Sequence, residues 1–360
     1  MQTVSSNPAN PLPTPGPDLA TLKKKFGLYS MADLEKVRAE IEAKSYVVEG
    51  FIPRGSVNIA AGDSGIGKSP LFYQLCLCVA AGIPFLGIPV HQGPTLYCDY
   101  ENGLAAIGEL CDAQKRHLGI SESPEGFVVW PMIEPIILID PVVTALQPTI
   151  CVIDSLRSYD PLAEEKAKAA ALCLNSLRRL ARRCGTAFIL IHHTKKPGDE
   201  AGPPLEATPT RMWLLQACGS RALVNQTDVR IGIDTSRGHE VFVGEDSSRT
   251  ESALVMKSFE RLRGESGTSF LMREYDDFGD PLGYRPLTGV ELLSNPDQQK
   301  TYTALPPEFS FKQAVHQYGR GDQATSDFLK KCQRVGILRH VGRGSYSKSG
   351  PRRTDGVHGG

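Results

Sequence analysis

The chain has 360 residues, enough for one large core plus a small second domain, and its 40 basic and 40 acidic residues leave no net charge. Overall charge therefore excludes attraction of the whole chain to nucleic acid or membrane, so such a partner needs a local basic surface. Nine cysteines are scattered without a Cys-x-x-Cys pair, mostly in apolar runs, and read as buried thiols of a reducing cytosol rather than disulfides or zinc ligands. No run approaches the roughly 18 apolar residues of a membrane span and no basic-then-apolar leader opens the chain, so a soluble, cytoplasmic protein without a membrane partner is expected.

Residues 1–18 are rich in Pro, Asn and Ser and read as a disordered tail. Residues 19–47 form a charged helical segment in which Ser30 can cap the helix SMADLEKVRAEIEAK. From 48 to 293, short apolar runs (VNIAA, TLYCDYE, TICVID, AFILIHH) alternate with helical patterns, including a long helix from the end of TICVID to Arg183. That alternation predicts an α/β fold with a mostly parallel sheet. From Ile231 onward, strands such as ALVMKSFE and TSFLMREYD follow one another across short turns, which predicts an antiparallel C-terminal edge. Residues 305–349 show two helices (FKQAVHQYG and TSDFLKKCQRVGIL) and a hairpin about a Gly-Arg-Gly tip, the outline of a small winged-helix-like domain; 350–360 read as a flexible tail.

The pattern Gly62-x-x-x-x-Gly67-Lys68-Ser69 is the chemically loaded stretch. It follows a strand and opens a helix, so the main-chain amides of Gly62, Asp63, Ser64, Gly65, Ile66 and Gly67 form an anion nest suited to the phosphates of ATP. Lys68 would reach the outer phosphates and Ser69 would ligate Mg²⁺. Pro70 follows directly. Its place in the first helical turn is tolerated, but it has no N–H to offer the α-phosphate, a loss of roughly 1 kcal/mol of nucleotide binding.

Two expected strands end in aspartate, IILID at Asp140 and TICVID at Asp154, and a Mg²⁺–water partner needs such a carboxylate on a rigid support. Asp154 is preferred because a long helix and a further strand follow it; Asp140, before Pro141, reads as a turn acid. Glu101 is the candidate base for the attacking water, with Asp99 its competitor, and both acids could instead cap the helix starting near Gly103. Of His192 and His193, which close the strand AFILI, one can face the phosphates while the other packs.

The blocks GDSGIGKS, AAGIPFLG, GPTLYCDYEN, ICVIDSLRS, ILIHHTKK and GSRALVNQTDVRIGI, in this order over residues 48–260, resemble RecA-type ATPases, closest to the hexameric plasmid replication helicases of the RepA kind and related phage and plasmid ATPases. The resemblance implies Lys68 and Ser69 for phosphate and magnesium, Glu101 as base, Asp154 as the Walker B acid, His193 as sensor, and a homo-hexameric ring whose subunits complete one another's sites. This chain departs from that pattern at Cys218, where the helicases carry an arginine, so Arg221, Lys257 and Arg261 are the candidates for the trans-acting cation, each also readable as a surface charge. The resemblance also implies that the loop 195–211 faces single-stranded DNA. It holds Lys195, Lys196 and Arg211 but no aromatic, and is too rich in Pro and Gly to pack.

Residues 311–360 hold ten Lys or Arg against three Asp. Thr325, Ser326, Lys330, Lys331 and Arg334 on the second helix, with Arg339, Arg343 and Lys348 around the hairpin, suit duplex DNA, although such units also dock proteins. The reading is thus an ATP-hydrolysing, Mg²⁺-dependent helicase of DNA replication, against a nucleotide-gated DNA-binding regulator with slow or no turnover. A small-molecule phosphotransferase is disfavoured because no second substrate pocket is recognisable.

Overall fold

The computed structural model describes residues 18–41, 46–131, 139–194, 202–217, 221–243, 249–265, 267–293 and 295–348. The expected tails, 1–18 and 350–360, lie outside the described residues except for Asp18, as do Lys195 and Lys196.

The chain divides into two compact units, Met1–Ser45 and Tyr46–Gly360. In the first, Asp18 caps the helix Leu19–Phe26 through the Thr21 N–H, and Gly27 ends it at a φ of 64°. Ser30 and Asp33 cap the helix Met31–Ile41 reciprocally: the Ser30 N–H donates to Asp33 (2.7 Å) and the Asp33 N–H to the Ser30 hydroxyl (3.4 Å). The cap expected at Ser30 is therefore present. Lys23 joins the same knot, and its ammonium, with the Ser30 donors, holds the Asp33 carboxyl well below the usual range.

The second unit opens with a two-stranded hairpin, β1 (Tyr46–Val48) and β2 (Ile52–Pro53). The main sheet follows, built in chain order from β3 (Val57–Gly62), β4 (Thr95–Asp99), β5 (Phe127–Pro131), β6 (Ile150–Asp154), β7 (Ala187–His193), β8 (Val229–Val243), β9 (Arg249–Glu260), the short β10 (Gly264–Glu265), β11 (Ser269–Tyr275) and β12 (Pro281–Pro286). Its spatial order is β12-β11-β9-β8-β3-β7-β6-β4-β5, with β10 paired to β9 alone. Strands β8, β3, β7, β6, β4 and β5 run parallel, and β9, β11 and β12 add the antiparallel edge. This is the α/β architecture expected. Strand β5 (FVVWP) was not among the apolar runs singled out, since its five residues are all only half-buried.

Burial on both faces explains the unbroken apolar runs of the central strands: every residue of β3, β4 and β6 is buried. The helix Lys68–Ala81 is buried continuously from Leu71 to Ala80 and stops at Gly82, which takes a φ of 72°. On the opposite face, the helix Ala167–Cys184 buries Ala170, Leu174, Leu177, Leu180 and Ala181 at helical spacing and leaves its charges outside. The single long helix expected from the end of TICVID to Arg183 is instead broken into Leu156–Tyr159, Pro161–Glu165 and Ala167–Cys184. Pro161 starts a separate turn, Pro161–Glu165, capped by Asp160.

Asn58, in the middle of β3, is fully buried and polar. Its amide donates to Ser56 Oγ (2.8 Å) and to the Phe188 carbonyl (3.0 Å), and its oxygen accepts from the Val229 N–H (3.2 Å), so one side chain ties β3 to both neighbours.

The C-terminal part carries its own core around Leu293, Tyr302, Phe309, Phe328, Leu329 and Leu338. Three helices (Pro296–Ala304, Phe311–Tyr318 and Asp322–Arg334) pack on a small antiparallel sheet of order β13-β15-β14, from β13 (Glu308–Ser310), β14 (Leu338–Gly342) and β15 (Ser345–Lys348). The helix Pro296–Ala304 contributes Thr301 and Tyr302 as buried residues, and Tyr302 belongs to this core.

Replacing Asn58 by Ala should lower stability by about 2 kcal/mol, because it leaves the Val229 N–H buried without a partner, while the Phe188 carbonyl keeps its ladder bond. The urea midpoint measures this; an unchanged midpoint would show that Asn58 does not clamp the strands.

Candidate functional site

Parallel pairing aligns the carboxyl ends of four strands. Gly62 is opposite His193, Asp99 opposite Asp154, and Ile153 opposite Leu190. Side chains alternate along a strand, so Tyr97 and Asp99, Val152 and Asp154, and Ile191 and His193 all face the side that packs the helix Lys68–Ala81. A crevice at the carboxyl edge, between the strands that flank β3, is where ligands of open α/β sheets bind.

Strand β3 ends at Gly62, and the loop turns into the helix through Gly67 at a φ of 99°, with no side-chain cap. Only glycine takes that angle without strain, and a Cβ there would overlap the Tyr284 hydroxyl and the Arg273 guanidinium. Asp63, Ser64 and Gly65 are exposed at the tip, and the Ser64 N–H is taken by Asp63 (2.8 Å). Pro70 is in the first helical turn, as expected; its carbonyl accepts from Gln114 (3.3 Å).

Lys68 is 4% exposed and lies beneath the loop. Its ammonium donates to the Gly62 carbonyl (2.9 Å) and the Asp63 carbonyl (2.7 Å), with His193 Nδ1 at 3.3 Å. On the far side of that ring, His193 Nε2 is 3.4 Å from Glu101. Lys68, His193 and Glu101 thus form a chain from the nest to an exposed carboxylate. Burial pushes the Lys68 pKa down, against the pull of Asp154, Asp63 and Glu101.

Asp154 is 1% exposed at the end of β6. Tyr97 donates to one oxygen (2.7 Å), and the other has no hydrogen-bond partner among the described residues. Burial raises its pKa, while the nearby Ser69 and Tyr97 hydroxyls lower it. Asp140 does not end a strand: it lies in the first turn of the helix Ile139–Leu146, exposed and paired with Arg183 (2.6 Å). Asp99 is fully engaged, accepting from the Tyr73 hydroxyl (2.8 Å) and from the N–H groups of Glu101 and Asn102 (2.9 Å each). It shapes the turn that presents Glu101, and Gly103 begins the next helix without a side-chain cap.

Sequence reasoning missed the tyrosines. Tyr73 and Tyr97 stack at 3.8 Å and hold the two buried carboxylates side by side. Their signal is a tyrosine among otherwise apolar buried positions, where the hydroxyl needs a partner.

The remaining candidates divide. Lys257 is buried and donates to the carbonyls of Thr208 (2.7 Å) and Leu205 (3.3 Å), with Glu265 at 3.4 Å, so it is occupied within its own subunit. Arg221 and Arg261 are exposed. The described part of the loop, 202–211, does pack, contrary to the expectation from its Pro and Gly content. Leu205 is fully buried as its anchor, Lys257 holds its carbonyls, and Glu265 accepts from the Thr210 N–H (2.6 Å). In the C-terminal part, Lys330, Arg334, Arg339 and Arg343 are exposed, whereas Thr325 is buried and Lys348 bonds to the Thr303 and Leu305 carbonyls.

Residues 25–199 match the family model of the AAA domain. That match, over a little less than half of the chain, spans the Gly62–Ser69 phosphate-binding pattern and the strands that carry Asp99, Asp154 and His193. Over 166 residues, 44% of this chain, the sequence is 28% identical to the DNA repair protein RadA of Pseudomonas aeruginosa. The match covers 32% of RadA, so the chain spans about a third of that relative's length. The KaiC-like protein of Pyrococcus horikoshii OT3 is similar over 67% of this chain and 93% of its own, with a TM-score of 0.43 and 16% identity. No described helix of this core or its C-terminal part is long and apolar enough to cross a membrane.

His192 alternates to the face away from the nest. It is 1% exposed, and neither ring nitrogen has a partner among the described residues. Burial, then the electrostatic influence of the neighbouring His193 and Lys68, pushes its pKa down to about 4. An unfolded histidine binds its proton below about 6.5. Stability should therefore fall by roughly 3 kcal/mol on acidification from 6.5 to 4, since the unfolded chain gains the proton first. His192→Leu should remove that slope in unfolding curves run across this range; a slope unchanged by the substitution would place the acid sensitivity elsewhere.

Proposed function

We propose that the protein is a magnesium-dependent ATPase of RecA-like build that acts on DNA as a ring-forming motor. The observation that carries this reading is the chain from Lys68 through His193 to Glu101, set beside the Ser69 and Asp154 pair at the mouth of the nest. The nest amides and Lys68 hold the triphosphate. Glu101, exposed and one ring away from Lys68, takes the proton of the attacking water. The water oxygen bonds to the γ-phosphorus as the bond to the bridging oxygen breaks, releasing ADP and phosphate. His193 bonds to both Lys68 and Glu101, so its ring responds to whether the γ-phosphate is bound.

Ser69 and Asp154 fit a magnesium ion, directly or through water, because Asp154 keeps one buried oxygen without a partner. When bound, the ion neutralises phosphate charge. The trans-acting cation is assigned to Arg261 or Arg221 of a neighbouring subunit, since Lys257 is already bonded at home. Lys257 links residues 205–208 to the strand that leads to Arg261, which suits coupling between a DNA-facing loop and a subunit boundary.

The DNA assignment rests on the exposed Lys330, Arg334, Arg339 and Arg343 of the C-terminal part, which is read as a winged helix, and on the DNA repair protein among the relatives. A nucleotide-gated regulator is the second reading, favoured by Pro70, which removes a main-chain donor to the α-phosphate.

Glu101→Gln should lower ATP turnover by at least about a hundredfold with ATP affinity within threefold of the parent, whereas Lys68→Ala should abolish binding. Single- or double-stranded DNA should stimulate the parent. A chain that stays monomeric with a non-hydrolysable ATP analogue and ignores DNA would end the motor reading. Replacing Arg339 and Arg343 together by Ala should reduce the salt dependence of duplex binding by about two phosphate contacts; an unchanged slope would place the duplex elsewhere.

A further inference from the structure

The antiparallel edge reaches back over the nest. Strand β12 is zipped to the helix Lys68–Ala81 by one side-chain amide: Gln74 donates to the Tyr284 carbonyl (2.7 Å) and accepts from the Tyr284 N–H (2.8 Å). The zip delivers the Tyr284 hydroxyl to the Gly67 carbonyl (3.1 Å). That hydroxyl also accepts from Arg273 Nε (3.1 Å) and Nη2 (2.6 Å), which uses its one donor and both its acceptor sites. Arg273 is pinned across the tyrosine ring, 5.3 Å from its centroid.

Two features of Arg273 call for an anion. It is half-buried, and no carboxylate bonds to it directly among the described residues; its neighbours are the Tyr284 and Tyr275 hydroxyls, and the nearest acid on the cavity wall, Glu251, is taken up by the Tyr275 hydroxyl (2.7 Å). A partly desolvated guanidinium without a counter-charge is costly unless an anion meets it. Its position is the second feature. The guanidinium lies against Gly67 at the head of the helix, and beyond it Gly65, Ile66, Glu251, Arg273, Tyr275 and Tyr284 line a cavity of about 220 Å³, roomy enough for a nucleobase. A nucleotide running from the nest to that cavity passes Arg273 with its inner phosphate, in the turn where Pro70 has no N–H.

We propose that Arg273, held by Tyr284, binds the α-phosphate and supplies the donor that Pro70 lacks. The proposal rests on the reading of the nest as a nucleotide site. A neighbouring strand thus restores from the side what the main chain omits, with a charged fork in place of one amide.

Calorimetric titration of the full-length chain with ADP tests this. Arg273→Gln should weaken ADP about tenfold or more, and Arg273→Lys by less than about threefold. Pro70→Thr alone should change affinity by less than about twofold, and in that background Arg273→Gln should cost only about threefold, because two donors then serve one phosphate. Equal losses in both backgrounds, or no loss while Lys68→Ala abolishes binding, would overturn the proposal and leave the nest intact. A parent chain that binds no ADP would overturn the nucleotide site itself. The parent's choice between the two α-thiophosphate diastereomers of ADP, measured in EDTA, does not depend on how the variants fold. The parent should prefer one severalfold, a preference that Arg273→Gln erases; indifference in the parent would refute an α-phosphate contact by Arg273.

Discussion

The aligned carboxyl ends of β3, β7, β6 and β4 are the constraint on which the site depends. Parallel pairing sets Gly62 beside His193 and Asp99 beside Asp154, and the two-residue period of a strand turns the acids and His193 toward the same helix. No loop has to find its partner by searching. The strands are buried on both faces, so a one-residue slip would drive charged groups into Val, Ile and Leu and is strongly disfavoured.

Burial then shapes the electrostatics. Lys68 and Asp154 are both removed from water, and desolvation pushes the lysine pKa down and the aspartate pKa up, each toward its neutral form. Polar contacts counter the push: main-chain carbonyls for Lys68, and hydroxyls for Asp154. The stacked pair of Tyr73 and Tyr97 keeps two carboxylates at adjacent strand ends without a cation between them, through directed hydrogen bonds in a rigid setting. Charges held in this way need little rearrangement when a phosphate arrives, which is the condition for electrostatic catalysis.

The antiparallel edge does more than extend the sheet. His117 meets both the Tyr284 carbonyl (3.1 Å) and Glu274 (3.1 Å), while Gln74 completes the Tyr284 main chain, so two helices grip the β11 and β12 pair. That grip brings residues some 200 positions downstream onto the loop at Gly67. On the far side of the sheet, Lys257 and Glu265 similarly fasten residues 205–210, a segment whose composition alone indicates a loose linker.

Local chemistry decided much of this. Gly62 to Ser69 between a strand and a helix, the buried apolar runs, Asp154 at a strand end and Ser30 as a cap were all legible in the sequence, because each depends on spacing within a few residues. Asp140 was misplaced on a strand because an apolar run of four does not distinguish strand from helix, and β5 was overlooked because half-burial leaves a weak pattern. Only the tertiary structure separated Glu101 from Asp99, turned His193 rather than His192 toward Lys68, took up Lys257 inside its own subunit and brought Arg273 to Gly67. Those outcomes depend on which strands are neighbours and on what remains unpaired once they meet, and no window of the chain carries that information.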